Sequence, residues 1–239
     1  MESLYKLIIL NEVVGSGIRL YMIIKGEFIM EGKGFIVAYC SGLFGFLGKI
    51  SVFSVICRFK KTMTYTFVDA WVLGNLITAI IFTLVGYYFG DSVSWLMYLI
   101  VGYSILRVYE IIIYQLNMLL FDPYRTLKKG EIYKIKSPTR TVILLLHNYL
   151  EVMFWYAAII IALQQLNGST LVASYIEYIQ SCILCVATFN GELIQNTVGE
   201  IYPGLSNVVF LQVITGVIMT LISLARFIGI LPAIESIEE

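Results

Sequence analysis

Apolar residues along the 239-residue chain gather into long runs separated by short polar stretches. A bilayer-spanning helix needs roughly 20 predominantly apolar residues. Six runs offer that length: Tyr5–Ile24, Gly34–Cys57, Thr66–Phe89, Val93–Leu120, Thr141–Leu163 and about Leu205 to Leu231. The first is the weakest, because Glu12, Arg19 and Gly15-Ser16-Gly17 interrupt it, and Lys49 interrupts the second. A further apolar stretch, Leu171–Ala187, is about 17 residues long, the lower limit for a span. It runs into the polar, glycine-containing Thr188–Gly204. Polar, non-helical backbone is tolerated at membrane depth where it is buried in protein or lines water. The pattern therefore predicts an all-α integral membrane protein with six transmembrane helices and a re-entrant helix and loop between the fifth and sixth. Residues 121–140, broken by Pro123, Gly130 and Pro138, divide a four-span unit (residues 1–120) from a two-span unit (residues 141–239).

Composition points the same way. The chain is 59% hydrophobic and 13% charged, against about 45–50% and about 25% in soluble domains, and its mean hydropathy is +0.85. An ordinary water-soluble enzyme is excluded. Sixteen basic and sixteen acidic residues cancel, so no nucleic-acid partner is expected. Basic residues in short loops set orientation. Arg58, Lys60 and Lys61 follow the second run, and Arg125, Lys128, Lys129, Lys134, Lys136 and Arg140 fill the linker before the fifth. Two spans separate these loops, so both face the cytoplasm, as do both termini. The loop near Asp91 and the uncharged Gln164–Ser169 loop fall outside. The linker is either topogenic charge alone or a surface lying on anionic lipid of the inner leaflet, where each basic residue contributes about 1 kcal/mol.

Candidate chemistry is sparse. Cys182-Ile183-Leu184-Cys185 is formally C-x-x-C, but its apolar flanks and the single histidine, His147, read as buried packing rather than a redox or zinc site. No metal site, cofactor or enzyme is expected, since no Ser/His/Asp set, P-loop or dinucleotide fingerprint is present. Met1-Glu2-Ser3 lacks the basic start of a cleavable signal peptide. His147 reads as a hydrogen-bonded structural histidine, Asn167-Gly168-Ser169 as a chance sequon, and Tyr87, Tyr88, Trp95 and Tyr98 as an interfacial belt.

Residues Arg140 to Pro232 carry a resemblance. Asn148-Tyr149-Leu150-Glu151 followed by Phe154-Trp155-Tyr156-Ala157, then Thr197-Val198-Gly199-Glu200-Ile201-Tyr202-Pro203, then Leu211-Gln212-x-x-x-Gly216 occur in that order. Together they resemble the pore module of the potassium-channel superfamily, in its small bacterial two-span form. The resemblance implies a cyclic homo-oligomer of four copies, with helix, pore helix, filter-like loop and inner helix in turn. The full T-x-G-Y-G run that lets backbone carbonyls replace an ion's hydration shell is shortened here, because Thr197-Val198-Gly199 is followed directly by Glu200. A relaxed cation pore or a non-conducting derivative fits better than a selective potassium channel.

The candidate pore residues are Thr188, Asn190, Glu192, Asn196, Thr197, Val198, Gly199 and Glu200. Glu192 and Glu200 are the sole charges between Glu177 and Arg226, and cyclic assembly would turn each into an acidic ring that concentrates cations. Gly216 is either a gating hinge or a close-packing point. Charges within spans default to functional hypotheses: Glu12, Arg19, Lys49, Arg107, Glu110 and Glu151. Arg107 and Glu110, three apart, can pair directly, while Lys49 can reach Glu12, Asp69 or Glu151. One arginine in the fourth run is too few for a voltage sensor. The expected function is an oligomeric cation pore. Its rival is a non-conducting membrane sensor or scaffold that signals to a cytoplasmic partner, and no internal repeat supports a transporter.

Overall fold

The computed structural model describes residues 35–59, 64–133, 137–199 and 201–230, and every regular element among them is helical. Helix α1 (Phe35–Leu47) meets α2 (Val52–Phe59) through a 3-10 turn at Gly48–Ile50. Helix α3 (Tyr65–Phe89) follows, then α4 (Ser94–Leu116), which continues through a π-helical turn at Asn117–Phe121 into α5 (Asp122–Lys128). The rest is α6 (Pro138–Leu166), α7 (Tyr175–Thr188), α8 (Glu192–Val198) and α9 (Pro203–Ile230).

Four helical stretches are long and apolar enough to cross a membrane: Tyr65–Phe89, Ser94–Lys128, Pro138–Leu166 and Pro203–Gly229. The α1–α2 pair is a fifth candidate if it counts as one span. This is the make-up of a multi-pass membrane protein. The expected first span, Tyr5–Ile24, with Glu12 and Arg19, lies outside the described residues.

Local chemistry sets the boundaries. Thr64 and Ser137 cap α3 and α6, accepting the Phe67 and Arg140 N–H groups, and Pro138 opens α6 where its missing N–H costs nothing. Helix α6 is the most buried. It packs against α3, α4, α7 and α9, with Trp155, Tyr156, Val152 and Ile159 meeting Ala79, Ile111 and Met219 in the central core. Tyr103, Phe82 and Trp155 pack edge to face there, with centroids 5.4–5.9 Å apart.

The second apolar run is not the single continuous helix expected. It breaks at Ser51, and its two halves are bent by 73°. Ser51 turns extended (ψ 147°), its hydroxyl oxygen accepts the Ser54 N–H, and Glu110 of α4 accepts the Phe53 N–H at 2.6 Å. Amides freed by the break are thus satisfied across the fold, as a helix start requires. The end of α1 is tied as firmly: Tyr109 donates to Leu47 O and Asn117 to Phe44 O. Within the expected linker, residues 122–128 are helical and Arg125 bonds Ser41 O, Asn117 Oδ1 and Asp122 Oδ1 at 2.7–2.8 Å.

Arg125→Met keeps the chain length but removes these bonds. With the side chain about a third exposed, we expect a loss of about 1 kcal/mol. It should appear as a lowered thermal midpoint and faster amide exchange confined to α1.

Candidate functional site

Between α6 and α9 the chain folds as a helical hairpin whose two ends meet the same end of α6. A capping box starts α7: the Ser174 hydroxyl accepts the Glu177 N–H, and the Glu177 carboxylate accepts the Ser174 N–H at 2.7 Å. These bonds hold the Glu177 carboxyl below its usual value. Helix α7 then runs alongside α9. Gln212 Nε2 donates to Cys182 O at 3.0 Å, and a Cβ on Gly216 would lie 3.1 Å from Val186 O. The bare α-carbon of Gly216 therefore lets two backbones touch inside an unbroken α9.

The turn is tight. Phe189 adopts a left-handed conformation (φ 56°), costly for a bulky residue, and the Asn190 side chain accepts the Glu192 N–H at 2.9 Å. Gly191 sits so close to α9 that a Cβ there would come within 2.6 Å of Val209. Helix α8 returns to α6, where Gln164 Nε2 donates to Val198 O at 3.2 Å and the Tyr202 hydroxyl donates to Leu163 O at 2.9 Å.

The expected pore residues separate into two faces. Ile194 and Val198 are buried with Ala157, Ile160, Tyr178, Leu205 and Val209, so they anchor α8 inside the protomer. Thr188, Asn190, Glu192, Gln195, Asn196 and Gly199 are exposed and Thr197 is half-buried. The Thr188 and Thr197 hydroxyls donate back to Leu184 O and Leu193 O within their own helices. Glu200 lies outside the described residues.

One expectation is corrected. The polar run was expected to be non-helical, yet residues 192–198 form a helix in which Gln195 N–H bonds Gly191 O and Gly199 N–H bonds Gln195 O. A run starting Glu-Leu-Ile-Gln with apolar residues four apart has one packable face, and burial of Ile194 and Val198 favours the helix over an extended chain. Thr197 and Val198 consequently do not present the row of backbone carbonyls that the resemblance implies.

The charges within the helices form a second feature. Arg107 pairs with Glu110 three residues on, and also with Glu151 of α6, whose Oε1 accepts from Arg107 Nη2 at 2.7 Å and from Trp155 Nε1 at 2.9 Å. The Arg107 guanidinium lies 5.6 Å from the Trp71 ring. Lys49 makes no described ion pair: it is exposed on the rim of a cavity of about 430 Å³ that Arg107, Glu110, Gln115 and Asn148 also line. Of its expected partners, Asp69 pairs with Arg140 at 2.6 Å and Glu151 with Arg107. His147 Nε2 is buried with no hydrogen-bond partner among the described residues. Cys182 and Cys185 pack in the hairpin core as free thiols. From sequence, Trp155 entered only as part of the outer-helix match and Gln164 only as the start of an outer loop, although an amide closing an apolar run and an indole one turn beyond an acid were available signals.

Compared with family models, curated proteins and solved structures, the chain matches none.

Two outcomes follow for the hairpin. Gln164→Leu strands the Val198 carbonyl in the core and should cost about 1–3 kcal/mol, measured as lost thermal stability with faster exchange in α8. The Glu177 cap contributes fully above the ordinary glutamate pKa of about 4.3, because its folded value is lowered, and is lost as pH falls through that lowered value. Amide exchange in the first turn of α7 should accelerate only on such acidification, and Ser174→Ala should give the fast rate at every pH.

Proposed function

We propose that the chain is one subunit of a cyclic membrane oligomer in which the α7–α8 hairpin lines a shared axis and conducts monovalent cations. The observation that carries this reading is the exposed polar turn. Helix α7 has fourteen residues, which advance about 21 Å, against a hydrocarbon core of about 30 Å. If α7 enters from the membrane face at the Gln164 end of α6, then Asn190, Glu192, Gln195 and Asn196 sit inside the hydrocarbon layer, up to about two-thirds of the way across, and face away from their own protomer. Polar groups there need either water or protein. Rotation of several copies about one axis supplies both, and it makes Glu192 a ring that draws cations.

In this reading the chain has six spans, with Tyr5–Ile24 the first, and the hairpin is re-entrant from the outer side. The basic segments 58–61 and 121–140 are cytoplasmic, and Tyr88, Trp95 and Tyr98, all well exposed, sit at the outer interface. Leu184, Phe189, Phe210, Leu211 and Ile214 are exposed beside the turn and would face neighbouring copies. Four copies is the number the resemblance implies. Ion passage relies on side chains, because α8 is helical rather than extended, its first carbonyls are engaged in the helix and Val198 O accepts from Gln164. That same engagement is what favours the rival, a non-conducting scaffold or sensor built on the pore architecture and signalling to a cytoplasmic partner.

Purified protein in liposomes separates the readings. We expect potassium or sodium flux that falls about tenfold in Glu192→Gln, as loss of a focusing charge implies, with cross-linking that reports a closed ring. A closed ring without flux selects the scaffold. A monomeric protein without flux removes both.

A further inference from the structure

We infer that Arg107, Glu110 and Glu151 form a proton-binding site, with one proton held on Glu151 and exchanged through the cavity beside Glu110. Charge balance points there first. One guanidinium faces two carboxylates, and all three side chains are at most 5% exposed. With both acids ionised the trio carries a surplus negative charge in a buried setting, which a protein relieves by protonating a carboxyl group.

Hydrogen bonding identifies which oxygen carries the proton. Both Glu110 oxygens are occupied, Oε1 by the Phe53 N–H and Oε2 by Arg107. Glu151 Oε1 accepts from Arg107 Nε at 3.2 Å, Arg107 Nη2 at 2.7 Å and Trp155 Nε1 at 2.9 Å. Glu151 Oε2 is buried with no hydrogen-bond partner among the described residues. A bare carboxylate oxygen is the costlier state, and a neutral acid the cheaper one.

Among the described residues no second cation pairs with either carboxylate: of the cations that line the cavity beside Glu110, Arg125 pairs with Asp122 and Arg140 with Asp69. Helix α3 presents Trp71 and, through its bond to Tyr103 of α4, Asn75. Helix α2 presents Cys57 and α6 presents Asn148, and across the cavity Lys49 is exposed and unpaired among the described residues. Tyrosine and cysteine are neutral near neutral pH. The cavity reaches Arg107 and Glu110 but is not lined by Glu151. A hydronium ion that gives its proton to the Glu151 carboxylate leaves the neutral acid and water, and the cavity brings water as far as the trio's other members, Arg107 and Glu110. Because Glu110 also accepts the Phe53 N–H of α2 and Glu151 accepts from Trp155, the proton sits between the broken helix and the central helix. The site stands independently of the pore reading.

Infrared spectroscopy of the full-length protein in lipid tests it, because a protonated carboxylic acid has a carbonyl stretch distinct from that of a carboxylate. The wild type should show one such acid per chain near neutral pH, downshifted in heavy water and disappearing with the slope of a single proton as pH rises. Glu151→Gln should remove it. Glu110→Gln should also remove it, because deleting the surplus charge leaves Glu151 ionised against Arg107, an outcome that a merely structural acid would not give. Arg107→Gln should enlarge the band. Absence of the band from the wild type overturns the inference and needs no variant to fold. Its persistence in a folded Glu110→Gln protein overturns it as well.

Discussion

The guanidinium of Arg107 is the tie on which the packing of this protein depends. It reaches Glu110 on its own helix, Glu151 on the central α6 and the face of Trp71 on α3. Breaking a buried pair by removing one partner typically costs 3–5 kcal/mol, a large share of the stability of any single domain. The constraint also reaches α2. Glu110 can accept the Phe53 N–H only if the second apolar run breaks where it does, so the bend at Ser51 and the buried charges are two sides of one solution. An uninterrupted helix there would leave Glu110 with one donor fewer. The break without Glu110 would leave an amide unpaired inside the protein.

Much of this was readable from the chain and part of it was not. The third to sixth apolar runs appear as helices with ends within a few residues of those expected, because their length and hydrophobicity overwhelm local detail. The pairing of Arg107 with Glu110 followed from spacing alone. Glu151 was visible as a charge in a span, but its partner was not, since pairing between helices depends on rotation about each axis, and hydrophobic patterns that are apolar all round do not fix rotation. Ser51 was unreadable for a similar reason: a serine in an apolar run becomes a break only when another element supplies the missing acceptor. In the polar run, two apolar side chains four residues apart outweighed the glycines and asparagines that argued for a loop.

The hairpin and the pore resemblance illustrate how order and detail separate. In the described residues the order is α6, the shorter α7, a polar turn, the short helix α8 and α9, and α7 lies against Gly216 and Gln212 of α9. The detail differs because a carbonyl cage requires extended backbone whose oxygens are free, whereas α8 commits its backbone to helical bonds and to Gln164. Selectivity of the potassium type is a property of that free backbone. A hairpin that has surrendered it can act on ions only through the side chains of its turn, a weaker and less discriminating arrangement.

Helix α6 joins the two features. One turn beyond Glu151 it presents Trp155, and the next residue, Tyr156, bonds Thr215 Oγ1 at 2.8 Å. Thr215 precedes Gly216, where α9 touches the α7 backbone at Val186. From buried acid to hairpin the chain of contact is continuous, and at Gly216 it has no slack, because there is no side chain to yield. Contiguity alone is not coupling; a signal also requires an element with two arrangements. The break at Ser51 is a discrete joint, and Glu110 of the trio accepts the Phe53 N–H on one side of it. Motion there would draw on the same carboxylates that hold α6, and α6 in turn bears on the hairpin through Tyr156 and Thr215.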